Sequence, residues 1–134
     1  MRDRLDANIC MDAIQHRPPE VLAALRAHAA AGLGLSSIRV AELSFGVAKS
    51  GSARNLQALA QFLEPLEITG FDCAAAQAYR PLRARLEAAG TPIVPLDTQI
   101  AAHALALGVT LVSNNTREFA RIPGLRLDNW VAVG

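Results

Sequence analysis

Along this chain, short apolar runs alternate with longer segments whose apolar residues recur three and four positions apart. The short runs read as strands and the longer segments as amphipathic helices. Residues 4–8 form a first short strand ending at Asp6. Residues 33–36, 66–68 and 109–113 are further strands, and a last one starts at Leu125. The apolar segment 92–96 runs straight into Asp97 and reads as a strand entering a helix. Helices are expected over residues 9–15, stopped by Pro18-Pro19, and over 19–31, stopped by Gly32. A helix over 40–49 carries Glu42, with Ser36 or Ser37 as its cap. Residues 53–62 place Leu56, Leu59, Ala60 and Leu63 on one side, and Pro65 ends that helix. Asp72 caps a long helix over 73–88, which Pro81 should bend or split. The Asp97 helix runs to about Leu107, where Gly108 stops it, and a short helical piece ends at Phe119.

Strands separated by helices pair in parallel through right-handed crossovers. The expected fold is α/β: a three-layer α/β/α arrangement around a short, mainly parallel central sheet. The 134 residues suffice for one domain with one core, spanning residues 1–134.

Composition narrows the class. Hydrophobic residues make up 51% and charged residues 19%, which points to a globular chain. Aromatics are only 4%, so Ala, Leu, Ile and Val must build the core. The longest apolar stretch, residues 100–112, contains His103 and falls short of the ~20 residues of a membrane span. No apolar leader follows Met1, so a cytoplasmic protein is expected. Cys10 and Cys73 lie far apart in apolar surroundings and read as buried free thiols. The net charge of +1 leaves any nucleic-acid-binding patch local. Arg39, Lys49, Arg54, Arg80, Arg83 and Arg85 read mostly as solvated helix faces.

Candidate chemistry collects where strands hand over to helices, the edge at which open parallel sheets bind ligands. Asp6, Asp97 and Asn115 fall at such junctions. Glu42 lies in the first turns of the helix after the second strand, and Glu118 one turn beyond Asn115. Together they would line a cleft with oxygens, which suits a hard cation such as Mg²⁺ or Mn²⁺. Each has a plainer role: Asp97 as an N-cap, Asp6 as an exposed acid, Asn115 as a turn residue, Glu118 as an exposed acid paired with Arg117 or Arg121. Glu42 does not complete a capping box, because Arg39 stands three residues before it. Asp72 reads only as an N-cap. His16, His28 and His103 lack zinc-ligand spacing, and His103 reads as partly buried or on the surface. The Gly-rich dinucleotide and phosphate loops and the Gly-x-Ser-x-Gly elbow are missing from the sequence.

These residues fall in the order of a known family. Leu5-Asp6-Ala7-Asn8-Ile9 is followed by Ser36-Ser37-Ile38 and Ala41-Glu42-Leu43-Ser44-Phe45-Gly46. Then come Pro95-Leu96-Asp97-Thr98-Gln99-Ile100-Ala101 and Ser113-Asn114-Asn115-Thr116-Arg117-Glu118-Phe119. Ile122-Pro123-Gly124-Leu125 and Asp128-Asn129-Trp130 close the chain in the same style. On these motifs the chain resembles the PIN-domain ribonucleases of the VapC toxin type, nearly end to end. It departs at Ala7, where the family usually has Thr, and at Asn115, where many relatives have Asp.

The resemblance implies a metal-dependent endoribonuclease, the toxin of a toxin–antitoxin pair. Asp6, Glu42 and Asp97 would hold Mg²⁺ or Mn²⁺, with Asn115 and Glu118 completing the shell. Hydrolysis would leave a 3′-hydroxyl and a 5′-phosphate on tRNA or another structured RNA. A VapB-like antitoxin would cover the acidic cleft, often with an Arg on the carboxylates. A homodimer is implied, with residues 53–63 and 74–86 as candidate faces. Two other classes stay open: a metal-dependent DNA or flap nuclease, and a degenerate PIN domain acting as a non-catalytic binding module.

Overall fold

A computed structural model of the chain describes residues 3–5, 32–64, 66–113 and 115–129. Within them β1 (Asp3–Leu5) and β2 (Leu33–Ser36) lead into α1 (Ser37–Ser50) and α2 (Ala53–Leu63). β3 (Glu67–Thr69), α3 (Cys73–Ala88) and α4 (Pro95–Leu107) follow. β4 (Thr110–Val112), α5 (Thr116–Phe119) and β5 (Leu127–Asp128) complete the order. Asp6 and the helices expected over 9–15 and 19–31 lie outside the described residues.

The strands form one five-stranded sheet in the order β3-β2-β1-β4-β5. Every pairing is parallel, with Asp3 opposite both Leu33 and Thr110, and Leu5 opposite Val112. The first strand is thus the centre, and the order reverses on either side of it. Such a reversal opens a crevice at the carboxyl ends of the strands.

The strands are short. All four residues of β2 are buried, as expected where helices cover a parallel sheet on both sides. Successive residues of a strand face opposite ways, and β4 uses this directly. Val112 joins Leu33, Leu35, Leu43, Val47 and Leu59 in one apolar cluster. Leu111 joins Leu82, Leu86, Ile93, Ile100, Phe119 and Ile122 in another. The first cluster takes the inward stripes of α1 and α2, and the second those of α3, α4 and α5. The most extensive helix pairing is α3 on α4, where the small Ala75, Ala101, Ala102 and Ala104 are buried and bring the backbones close.

Several sequence expectations need correction. Residues 92–96 are not a strand, because α4 already starts at Pro95. Pro92 and Pro95 lack N–H donors for a ladder, whereas Pro suits the first helical position. Pro81 does not split its helix, since α3 runs unbroken through it. The carbonyl one turn back, on Gln77, lies on the exposed side, where water can replace the missing donor. Cys73 is exposed rather than buried, at the first position of α3. The third strand sits one residue later than the pattern suggests, at the sheet edge.

Candidate active site

The site begins with the way α4 starts. Its N-cap is Val94, which has no side-chain capping bond, so Asp97 is not the cap. Asp97 instead sits in the first helical turn, near the positive end of the helix dipole. Thr98, fully buried behind it, ties the turn down: its hydroxyl lies 3.1 Å from the Val94 carbonyl and 3.3 Å from that of Ile93. Asp97 is thereby turned outward while its helix is fixed from beneath.

Ser36 ends β2 and caps α1, accepting from the Ile38 N–H at 3.2 Å. The buried stripe of α1 is Arg39, Leu43 and Val47, spaced four apart. Arg39 therefore points to the core side of the helix, not to solvent as its sequence context suggests. Its side chain is only 4% exposed. One guanidinium nitrogen, Nη1, donates to Glu42 Oε1 on the next turn of α1. The other, Nη2, donates to Asp97 Oδ1 on α4 at 2.9 Å. Glu42 and Asp97, 35% and 19% exposed, thus converge on a single positive group from helices far apart in the chain.

The other two candidates form a pair of their own. Asn115 Nδ2 donates to Glu118 Oε2 at 2.7 Å. Glu118 Oε1 accepts from the Val94 backbone N–H at 3.2 Å. Glu118 is therefore half-buried and tied to the start of α4, rather than exposed and paired with a neighbouring arginine. Asn115 N donates in turn to Ser113 Oγ at 3.0 Å, which anchors the turn after β4. The two groupings share one element, the first turn of α4: Arg39 grips its carboxylate and Glu118 its backbone. His103, also on α4, is buried with Nδ1 2.9 Å from Ser36 Oγ. The Phe71 ring stands edge-on to it at 5.5 Å.

Among the described residues no three His, Cys, Asp or Glu side chains gather as a metal cluster. Glu42 and Asp97 come together as a pair, and Asp6 lies outside those residues. The donor chemistry nevertheless fits a hard cation. Both groups are carboxylates, both face the same positive charge, and Mg²⁺ is often bound by one or two carboxylates with water filling the rest. Sequence reasoning missed Arg39. The signal was available: its spacing from Leu43 and Val47 places it on the core stripe, and its spacing from Glu42 is the i,i+3 of a helical ion pair.

The PIN domain family model matches residues 5–125. The tRNA(fMet)-specific endonuclease VapC of Salmonella typhimurium is 38% identical over 94% of this chain and 96% of its own length. Ribonuclease VapC2 of Rickettsia felis is 43% identical over 94% of this chain and 96% of its own. Among solved structures, VapBC2 from Rickettsia felis bound to a DNA fragment from its promoter superposes with a TM-score of 0.92. That match has 41% identity and covers 98% of this chain and 100% of the other. The motif order, the sheet and these likenesses agree, and the chain belongs to the PIN-domain family, among its VapC ribonucleases.

Proposed function

We propose that this chain is the endoribonuclease toxin of a toxin–antitoxin pair, and that it cleaves RNA with a divalent cation, Mg²⁺ or Mn²⁺, held by Asp6, Glu42 and Asp97. The observation that carries the reading is the convergence of Glu42 and Asp97 on one cationic position beside the carboxyl ends of β2 and β4. β1 lies between those strands and ends at Leu5, one residue before Asp6, which makes Asp6 the natural third donor.

The bound ion would polarise a scissile phosphate and lower the pKa of a water. This chain's residues do the rest. Asp97 supplies negative charge from a helix start held in place, and Glu42 adds a second carboxylate beside it. Glu118, held by Asn115 Nδ2, sets the position of Asp97 by accepting from the Val94 N–H. The acids outnumber Arg39, so the site stays receptive to positive charge even with the guanidinium in place.

The relatives named for tRNA(fMet) cleavage support a structured RNA substrate, tRNA first. The VapBC and FitAB complexes among the structural likenesses support a small VapB-like antitoxin as partner. A homodimer fits α2 better than α3, because the apolar stripe of α3 is already spent on α4 while Leu56 of α2 stays exposed. The two apolar clusters, one with α1 and α2 and the other with α3, α4 and α5, support three layers in a single domain, as right-handed crossovers would give. No described helix is long and apolar enough to cross a membrane, and a cytoplasmic toxin suits an RNA substrate.

The test is cleavage of total tRNA and of a matched DNA oligonucleotide with Mg²⁺, by wild type, Asp6→Asn and Asp97→Asn. RNA cleavage by wild type, cut at least ~100-fold in both variants, is expected on the scale of losing a charge-stabilising group. DNA cut in preference to RNA, or variants as active as wild type, would overturn the reading.

A further inference from the structure

The nuclease reading assigns Arg39 no role of its own, and the structure gives it a definite place. A guanidinium 4% exposed has lost most of its hydration, which only paired charges can offset. Here the pairing is divided. Nη1 serves Glu42 and Nη2 serves Asp97, so one planar fork spans two carboxylates on two helices. A lysine would lack this fork, because its donors share one nitrogen on a flexible stem.

We propose that Arg39 is a resident counter-cation of the site: it holds Glu42 and Asp97 together in the metal-free protein, and a divalent ion must draw at least one of them away to bind. The inference rests on the reading that these two carboxylates hold the metal. Without a metal, facing carboxylates repel; the guanidinium removes that repulsion and keeps the pair poised. The same charge then opposes an incoming divalent cation, and it occupies one lone-pair direction on each carboxylate. Glu42, the more exposed of the two, is the side that opens. The protein accordingly trades metal affinity for a site that stays assembled when empty, and Arg39 acts as a positioning residue.

The experiment measures Mn²⁺ binding and metal-free melting for the full chain as wild type, Arg39→Gln and Arg39→Lys. Arg39→Gln should bind Mn²⁺ about tenfold tighter, the order produced by removing a unit charge a few ångströms from a divalent ion in partly solvated surroundings. It should also melt lower than wild type in EDTA, with the gap narrowing as Mn²⁺ is added. Arg39→Lys, which keeps the charge but not the fork, should bind Mn²⁺ like wild type. A second measurement needs no folded Gln variant. In wild type the guanidinium nitrogen resonances of Arg39 should shift when Mg²⁺ saturates the site. Native Arg39→Gln with wild-type or weaker Mn²⁺ affinity, or resonances unmoved at saturation, would overturn the proposal and leave the metal site intact. No Mn²⁺ binding by either wild type or Arg39→Gln would overturn the metal site itself, and this proposal with it.

Discussion

Replacing Asp97 by Asn removes one charge and almost no volume, so its effect on stability reads the charge interactions of Asp97. In the native chain Asp97 Oδ1 accepts from the buried Arg39 at 2.9 Å. A hydrogen bond to a charged group contributes roughly 1.5–3 kcal/mol, and stranding a fully buried charge costs about 3–5 kcal/mol. Two facts pull the value down. Arg39 keeps Glu42 as a partner, and Asp97 is 19% exposed, so water screens part of the interaction. The first-turn acid also loses its favourable place near the helix dipole, about 0.3–1 kcal/mol. The sum is about 2 kcal/mol. A domain of this size loses ~3–5 °C in melting temperature per kcal/mol, so Asp97→Asn should melt about 5–10 °C below wild type in EDTA. Circular dichroism melts at equal concentration measure it, and a cycle with Arg39→Gln should give a coupling near ~1 kcal/mol. A melting temperature within about 1 °C of wild type, or strictly additive variants, would show that the bridge contributes nothing and refute the reasoning.

Three further outcomes follow from the same geometry. Ser36→Ala removes the cap of α1 and the hydroxyl beside His103, and urea denaturation should find it about 1–2 kcal/mol less stable; a change under ~0.5 kcal/mol would deny the cap its role. Glu118→Gln leaves one acceptor where two are used, by Asn115 and by Val94, so RNA cleavage should fall about tenfold with a stability loss near ~1 kcal/mol; unchanged cleavage would remove Glu118 from the positioning of α4. Phe119→Ala empties a side chain that is 1% exposed in the second apolar cluster, and should cost about 3–5 kcal/mol in chemical denaturation; a loss below ~1 kcal/mol would mean the cluster is loosely packed there.

Where a boundary is set by a local chemical signal, the sequence is legible. Asp72, Gly51 and Gly108 mark the ends of their helices, and the α3 and α4 limits at Ala88 and Leu107 follow from such signals. Gly108 adopts the left-handed φ of 68° that lets α4 stop and turn into β4. Where a boundary depends on tertiary context, the reading slips. Residues 92–96 carry the apolarity of a strand, but two prolines and the packing of Ile93 make them the approach to a helix. Pro81 looks disruptive from its own chemistry, yet its position on the exposed side of α3 lets the helix continue. Glu42, Asp97 and Glu118 were legible as candidates because each lies within the first two turns of a helix. Their partition was not: that Glu42 and Asp97 meet through Arg39 depends on how two helices pack, whereas Asn115 and Glu118 meet each other three residues apart.

The first turn of α4 is therefore the part of the fold on which the proposed chemistry depends. Three constraints meet there. Thr98 bonds the carbonyls of Ile93 and Val94 from below, Glu118 takes the Val94 N–H from the side of α5, and Arg39 reaches Asp97 from α1. The anchoring elements follow different strands: α1 follows β2, and α5 follows β4. Both strands flank β1, so the sheet sets the separation of the anchors and the anchors set the carboxylate. A loop carrying Asp97 would spend binding energy on ordering it each time a substrate arrived. A helix start held from three sides has met that cost during folding, which is the condition under which a charged group stabilises a transition state without reorganising.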